Sequence, residues 1–196
     1  TQDDWLKCLP KKPTRPRTIS VTPWSWRDLS LEEAEHRVLA GGQSLLVEGA
    51  PGTGKTFTCQ GLVEMLRSQG KKCDVISKTH SASARAGGCT ADHWVRRHVI
   101  HGSSAVDVLW VDEIGQLDIE LLAALSRLTF LGTQLIISGD FNQFAPIGNA
   151  YRGQAVGEDA FARSRLLHTM AGGNRLWLTE CKRSDDVLFR FYTRLL

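Results

Sequence analysis

The sequence predicts an α/β fold, a mostly parallel sheet with helices on both faces. Three observations carry that reading. Short apolar runs alternate with stretches of helical spacing along the chain, the pattern of strands buried beneath helices on both sides. A glycine-rich loop, Gly49-Ala50-Pro51-Gly52-Thr53-Gly54-Lys55-Thr56, joins the first such run to a helical stretch. Polar residues gather where the apolar runs end, the rim at which open α/β sheets bind ligands.

The elements follow in order. Ser30 to Glu33 reads as a capping box, with Ser30 as N-cap and Glu33 three residues on. Leu31, Ala34, Val38 and Leu39 give that helix one apolar face, and Gly41-Gly42 ends it. Residues 44–48 form a short apolar run, a buried strand. The helix after the glycine loop carries Phe57, Leu62, Val63 and Leu66 on one side and closes at Gly70. Residues 73–77 are a second strand, opening into a small polar segment, 78–83. Thr90 is the expected cap of a helix with Trp94, Val95 and Val99 inward and Arg96 and Arg97 outward.

Residues 107–111 make the clearest buried strand, ending in Asp112-Glu113. Asp118 caps the next helix, whose Leu121, Leu122, Leu125 and Leu128 repeat at helical spacing. Residues 133–138 are a further strand that ends in Gly139-Asp140-Phe141-Asn142-Gln143. A loop with Gly148 and Gly153 leads to a helix near 160–170. Residues 176–178 are the last strand, ending at Glu180-Cys181-Lys182-Arg183, and 184–196 read as helical.

Composition narrows the class. A chain of 196 residues is one domain with at most a small appendage. Its 42% hydrophobic and 23% charged residues are ordinary for a soluble protein. A net charge of +3 permits nucleic-acid binding without arguing for it. No apolar run approaches the ~20 residues of a membrane span, and the N-terminus is not a signal peptide. The five cysteines are scattered and form no C-x-x-C pair. That points to free thiols in a reducing, intracellular compartment (cytoplasm or nucleus). His93, His98 and His101 lack a zinc-binding spacing, so a surface or ring-stacking role is expected. Residues 1–28, rich in Pro, Lys, Arg and Trp, read as a basic arm whose tryptophans tack its end to the domain at 29–196.

The chemistry follows from the loop. Gly49, Gly54, Lys55 and Thr56 occupy every fixed position of the phosphate-binding P-loop, or Walker A, pattern. Its N–H groups form an anion nest, and the following helix adds its positive end. Lys55 is expected to reach the β- and γ-phosphates and Thr56 to hold Mg²⁺. Asp112-Glu113, directly after an apolar strand, stands in the Walker B position. Asp112 is expected to bind Mg²⁺ largely through water, and Glu113 to orient or deprotonate the attacking water. Gln143 can sense a γ-phosphate, and Arg183 can act as an arginine finger.

These residues resemble the motifs of superfamily 1 helicases, closest in order and spacing to the RecD-like, 5′-to-3′ branch. Residues 49–56 match the first motif, 112–116 (Asp-Glu-Ile-Gly-Gln) the second, 139–146 the third and 178–183 the fourth. Residues 78–83 resemble the motif that follows the first, and Thr90 to Trp94 the T-x-H segment. The resemblance covers about residues 29–190. It implies a RecA-like P-loop NTPase, the first motor domain of an ATP-dependent DNA helicase, using ATP and Mg²⁺ and contacting single-stranded DNA. The phosphate site would be residues 49–56 (Gly49, Ala50, Pro51, Gly52, Thr53, Gly54, Lys55, Thr56) together with Asp112. Lys55, Glu113, Gln143 and Arg183 would be catalytic, and Gln116 would help couple the site to DNA. Thr79, His80, His93 and Trp94 would line the strand's track, although core packing is an equal reading of Trp94. Three departures stand out. Phe144-Ala145-Pro146 replaces Leu-Pro-Pro, Glu33 stands where an adenine-reading glutamine is sought, and a second RecA-like domain with the last motifs is absent. The alternatives are a viral-type superfamily 1 RNA helicase, a nucleotide-dependent nucleic-acid-binding module without turnover, and a P-loop small-molecule kinase.

Overall fold

The computed structural model describes residues 24–79, 88–100, 106–142, 150–151, 154–155, 162 and 164–182. Most of the basic arm, His80, His101, the loop at 143–149, Arg183 and the expected helix at 184–196 lie outside them.

The strands are β1 (Arg27–Asp28), β2 (Leu45–Gly49), β3 (Cys73–Ser77), β4 (Cys89–Thr90), β5 (Val108–Asp112), β6 (Gln134–Gly139), β7 (Ala150–Tyr151), β8 (Gln154–Ala155) and β9 (Asn174–Leu178). Seven of them form one sheet in the order β1-β9-β2-β6-β5-β3-β4. Every pairing in it is parallel. β7 and β8 make a separate antiparallel pair. The helices are α1 (Leu31–Leu39), α2 (Lys55–Ser68), α3 (Ala91–Val95), α4 (Ile119–Phe130) and α5 (Arg165–Met170).

Side chains alternate across a strand, and the central strands are apolar on both faces. One core joins Leu46, Ile76, Leu109, Val111, Leu135 and Ile137 to the buried residues of α3, α4 and α5. The other joins Leu45, Val47, Val75, Val108, Trp110 and Ile136 to α1 and α2. This doubly covered sheet is the predicted one, and each predicted strand appears within two residues of its expected bounds.

The helix signals divide into those the structure realises and those it corrects. At α1, Ser30 Oγ accepts from the Glu33 N–H at 3.2 Å and Glu33 returns the bond to the Ser30 N–H at 2.9 Å. At α4, Asp118 accepts from the Leu121 N–H at 3.0 Å. Thr90 stands at the N-cap of α3 but its side chain makes no cap bond. A π-helical turn, Arg96–Ile100, continues α3, and His98 there stacks on Trp94 with ring centroids 4.9 Å apart. Leu31 and Phe57, both expected inward, are exposed. Leu31 sits in the first turn of α1, whereas Phe57 lies on the side of α2 opposite its buried Cys59, Leu62, Val63 and Leu66, at the cleft.

The tryptophans meet the domain as expected, but Arg27–Asp28, assigned to the arm, form the edge strand β1 beside β9. Trp24 and Trp26 pack on the His168 ring at 4.8 and 5.0 Å. Arg175 lies over Trp26 while its Nε donates to Asp28 Oδ1 at 2.7 Å. Cys59, Cys73, Cys89 and Cys181 are free thiols, as the spacing predicts. Among the described residues, no helix is long and apolar enough to cross a membrane.

Asp118 also pairs with Lys78, whose Nζ lies 2.9 Å from it and 3.2 Å from Asp92. Burial raises the Asp118 carboxyl, but the Leu121 N–H and Lys78 outweigh it and hold the group below its ordinary value. A lowered carboxylate stabilises the fold above its unfolded value and loses that contribution as pH falls. Asp118→Ala is therefore expected to cost about 1 kcal/mol at neutral pH, mostly through the lost cap. In urea titrations the gap between variant and unaltered chain should narrow below about pH 4; an equal gap at pH 3 and pH 7 would contradict this origin.

Candidate functional site

The carboxyl ends of β2, β5 and β6 open onto a cleft of about 680 Å³. The glycine loop forms one wall through Pro51, Gly52, Gly54, Lys55 and Thr56. Asp112, Glu113, Gly115 and Gln116 from the end of β5, with Gly139 and Asp140 from β6, form the other. Phe57, Gln60 and Lys182 complete the lining.

The loop's shape comes from its glycines. Gly52 and Gly54 have φ of 84° and 92°, backbone that L side chains avoid. At Gly49 a Cβ would sit 2.5 Å from the Leu178 carbonyl oxygen, so only glycine lets β9 approach there. Thr53, buried, turns its hydroxyl back onto the Ala50 carbonyl at 2.8 Å. The Lys182 N–H donates to the Gly52 carbonyl at 2.9 Å, which ties the segment after β9 to the loop.

Lys55 opens α2, and its ammonium donates to the carbonyls of Gly49 at 2.6 Å and Ala50 at 3.0 Å. Burial pushes its basicity below the ordinary lysine value, while the charges of Asp140, Asp112 and Glu113 pull the other way. Those three carboxylates come from positions far from Lys55 in sequence, and the parallel sheet brings them to it.

Asp112 ends β5 and is 6% exposed. Its Oδ1 accepts from Ser138 Oγ at 2.7 Å and from the Glu113 N–H at 3.1 Å. Glu113 then adopts φ 53° and ψ 48°, the one left-handed non-glycine residue among those described. That conformation is costly for a residue with a Cβ. It turns the chain sharply out of β5 into a 3₁₀ turn, Ile114–Gln116, so that Glu113 and Gln116 face the cleft together. Asp140 is 7% exposed and accepts from the Asn142 N–H at 3.0 Å. Glu48, next to the loop, lies 3.7 Å from Arg175; burial raises its carboxyl and the arginine opposes that.

The predicted phosphate-site residues thus share one cleft, apart from Gly49, Ala50 and Thr53, which shape the loop from behind. Gln143 and Arg183 lie outside the described residues, as does His80. Thr79 and His93 are exposed. Trp94 is 2% exposed, with its indole N–H donating to Asp74 at 2.7 Å. Its ring is core, the packing reading of the two that the sequence left open for it. Glu33 closes the α1 cap, away from the cleft lining. Ser138 was legible in the sequence only as the end of an apolar strand. Its bond to Asp112 depends on the register of β6 against β5, for which the strand alone carries no signal.

Residues 32–168 match the family model described as the AAA domain. The chain is 30% identical over 140 residues to the ATP-dependent DNA helicase PIF3 of Trypanosoma brucei brucei, covering 61% of this chain and 17% of that protein. It is 28% identical over 158 residues to the ATP-dependent RecD2 DNA helicase of Deinococcus radiodurans, covering 74% and 20%. The chain therefore spans about a fifth of the length of these curated relatives. Among solved structures, the Pif1 helicase from Candida albicans matches with a TM-score of 0.66 at 23% identity, over 85% of this chain and 44% of that one. A Bacteroides Pif1 bound to single-stranded DNA matches with a TM-score of 0.60 at 21% identity, over 84% and 45%. These likenesses identify the fold as RecA-like. The chain belongs to the AAA domain family, within the superfamily 1 helicases on their RecD-like and Pif1-like branch.

Proposed function

We propose that this chain is the first motor domain, residues 29–196 after a basic arm, of an ATP-dependent DNA helicase. The observation that carries the reading is the convergence of Asp112, Glu113, Gln116 and Asp140 with the glycine loop around Lys55. Homology to DNA helicases favours DNA over the RNA alternative.

The loop N–H groups and the start of α2 bind the β- and γ-phosphates of ATP. Lys55 then exchanges its bonds to the loop carbonyls for bonds to phosphate oxygens. The donor set fits Mg²⁺, a hard cation that takes oxygen ligands. Both bonds to Asp112 land on Oδ1, which leaves Oδ2 for the metal or its water, with the Thr56 hydroxyl as the second protein ligand. When bound, the metal supplies charge neutralisation between the phosphates. Glu113 orients the attacking water and takes up its proton. Gln116 and Gln143 couple the state of the phosphates to the strand, and Arg183 adds positive charge at the transferring phosphoryl group. A second RecA-like domain closes over the ATP in the whole protein, and strand separation needs both.

Single-stranded DNA runs past Thr79, just beyond β3, and His93 in the middle of α3, both exposed, with His80 as a further contact. Phosphate contacts and stacking hold it without sequence preference.

Two outcomes test this. In ATP hydrolysis assays with and without single-stranded DNA, Lys55→Ala and Glu113→Gln should each lower turnover at least about a hundredfold. Glu113→Gln should still bind ATP; undiminished hydrolysis in that variant would remove Glu113 from its role. Separately, Thr79→Ala with His93→Ala should weaken binding of a fluorescent oligodeoxythymidine by roughly 1–2 kcal/mol and leave ATP binding intact. Unchanged DNA affinity would move the track elsewhere.

A further inference from the structure

We propose that Ser138 and Trp110 are positioning residues that fix the direction of the Asp112 carboxylate. The inference rests on the metal-binding role proposed for Asp112 and assigns the groups that hold it there.

The argument begins with strand parity. Trp110 and Asp112 stand two apart on β5, so both point to the face covered by α2. β5 and β6 run in register, with Trp110 beside Ile136 and Val111 beside Ile137. The next rung sets Ser138 beside Asp112. The indole N–H of Trp110 donates to Ser138 Oγ at 2.8 Å, and Ser138 Oγ donates to Asp112 Oδ1 at 2.7 Å.

The polarity of this chain is fixed by chemistry. Indole is a donor only, whereas a hydroxyl can turn either way. The indole cannot accept, so the Ser138 hydroxyl takes the Trp110 N–H on its oxygen and turns its own proton to Asp112. Hydrogen bonds to an ionised acceptor are about twice as strong as neutral ones. The Glu113 N–H reaches the same Oδ1 at 3.1 Å. Two donors on one oxygen hold the carboxylate plane and turn the other oxygen toward the cleft.

Burial makes the arrangement hard to replace. Ser138 and Trp110 are sealed from solvent, at 0% and 1% exposure, so no bulk water can stand in for either donor. Neither lines the cleft, so both act through Asp112. Cys59, one turn beyond Lys55 on α2 and fully buried, meets the same hydroxyl; burial pushes its thiol up and keeps it neutral. The helix that carries Lys55 and the strand that carries Asp112 therefore meet at Ser138.

The test is equilibrium binding of a methylanthraniloyl-labelled ADP to the 196-residue chain, with Mn²⁺ and with EDTA. The ratio of the two affinities isolates what the metal adds. Asp112→Asn should abolish that increment. Ser138→Ala should cut it about tenfold, the usual effect of losing a ligand's orienting partner, with metal-free affinity held within about twofold. Trp110→Phe should cut it by a smaller factor, and Ser138→Cys, with a weaker donor, should fall between Ser138→Ala and the unaltered chain. A full increment in Ser138→Ala and Trp110→Phe, alongside a lost one in Asp112→Asn, would overturn the positioning role and leave Asp112 in place. A full increment in Asp112→Asn would overturn both. A parallel fall with and without metal would mean general structural damage, which also overturns the proposal. If circular dichroism finds Ser138→Ala unfolded, Ser138→Cys and Trp110→Phe decide by the same ratio.

Discussion

The structure depends on one electrostatic constraint, the half-buried ammonium of Lys55. It is held by two loop carbonyls and faces three carboxylates. A buried charge must be paired or it neutralises. Here the loop carbonyls bond the ammonium directly, and the compensating charge comes from the ends of β5 and β6, which are distant in sequence and adjacent in the sheet. Parallel pairing of β2 with β6 and of β6 with β5 puts all three carboxyl ends on one rim. The order β9-β2-β6-β5-β3 thus sets the site.

The same constraint accounts for the loop's composition. Lys55 can fold back onto Gly49 and Ala50 because the loop turns through left-handed backbone at Gly52 and Gly54. It is backed by the end of β9, whose Leu178 carbonyl reaches where a side chain on Gly49 would stand. The segment after β9 then returns to the loop through Lys182. Movement of that segment would be felt at the phosphate site directly.

The sequence made the central strands and the phosphate loop legible because their signals are local. An apolar run bounded by glycines and the Asp118 cap each need only near neighbours to be read. The candidate site was legible where a motif carries its own geometry, as at residues 49–56 and 112–113. What escaped was set by tertiary contact. Trp94 sits in a T-x-H-like segment that resembles a nucleic-acid track, yet its indole satisfies Asp74 in the core. Phe57 was read onto the inward side of α2, but that side runs through Cys59, Leu62, Val63 and Leu66, and Phe57 stands opposite them at the mouth of the cleft. The hydroxyl of Ser138 gains its meaning from Trp110 and Asp112 across a register no single strand reveals.

The proposed function stands or falls on where ATP lies. The direct measurement is a crystal structure of the chain with a non-hydrolysable ATP analogue and Mg²⁺. The triphosphate should lie along residues 49–56, with Lys55 turned off the loop carbonyls onto the γ-phosphate. The metal should stand between the Thr56 hydroxyl and Asp112. A triphosphate bound away from this rim, or a metal held without Asp112, would contradict the account.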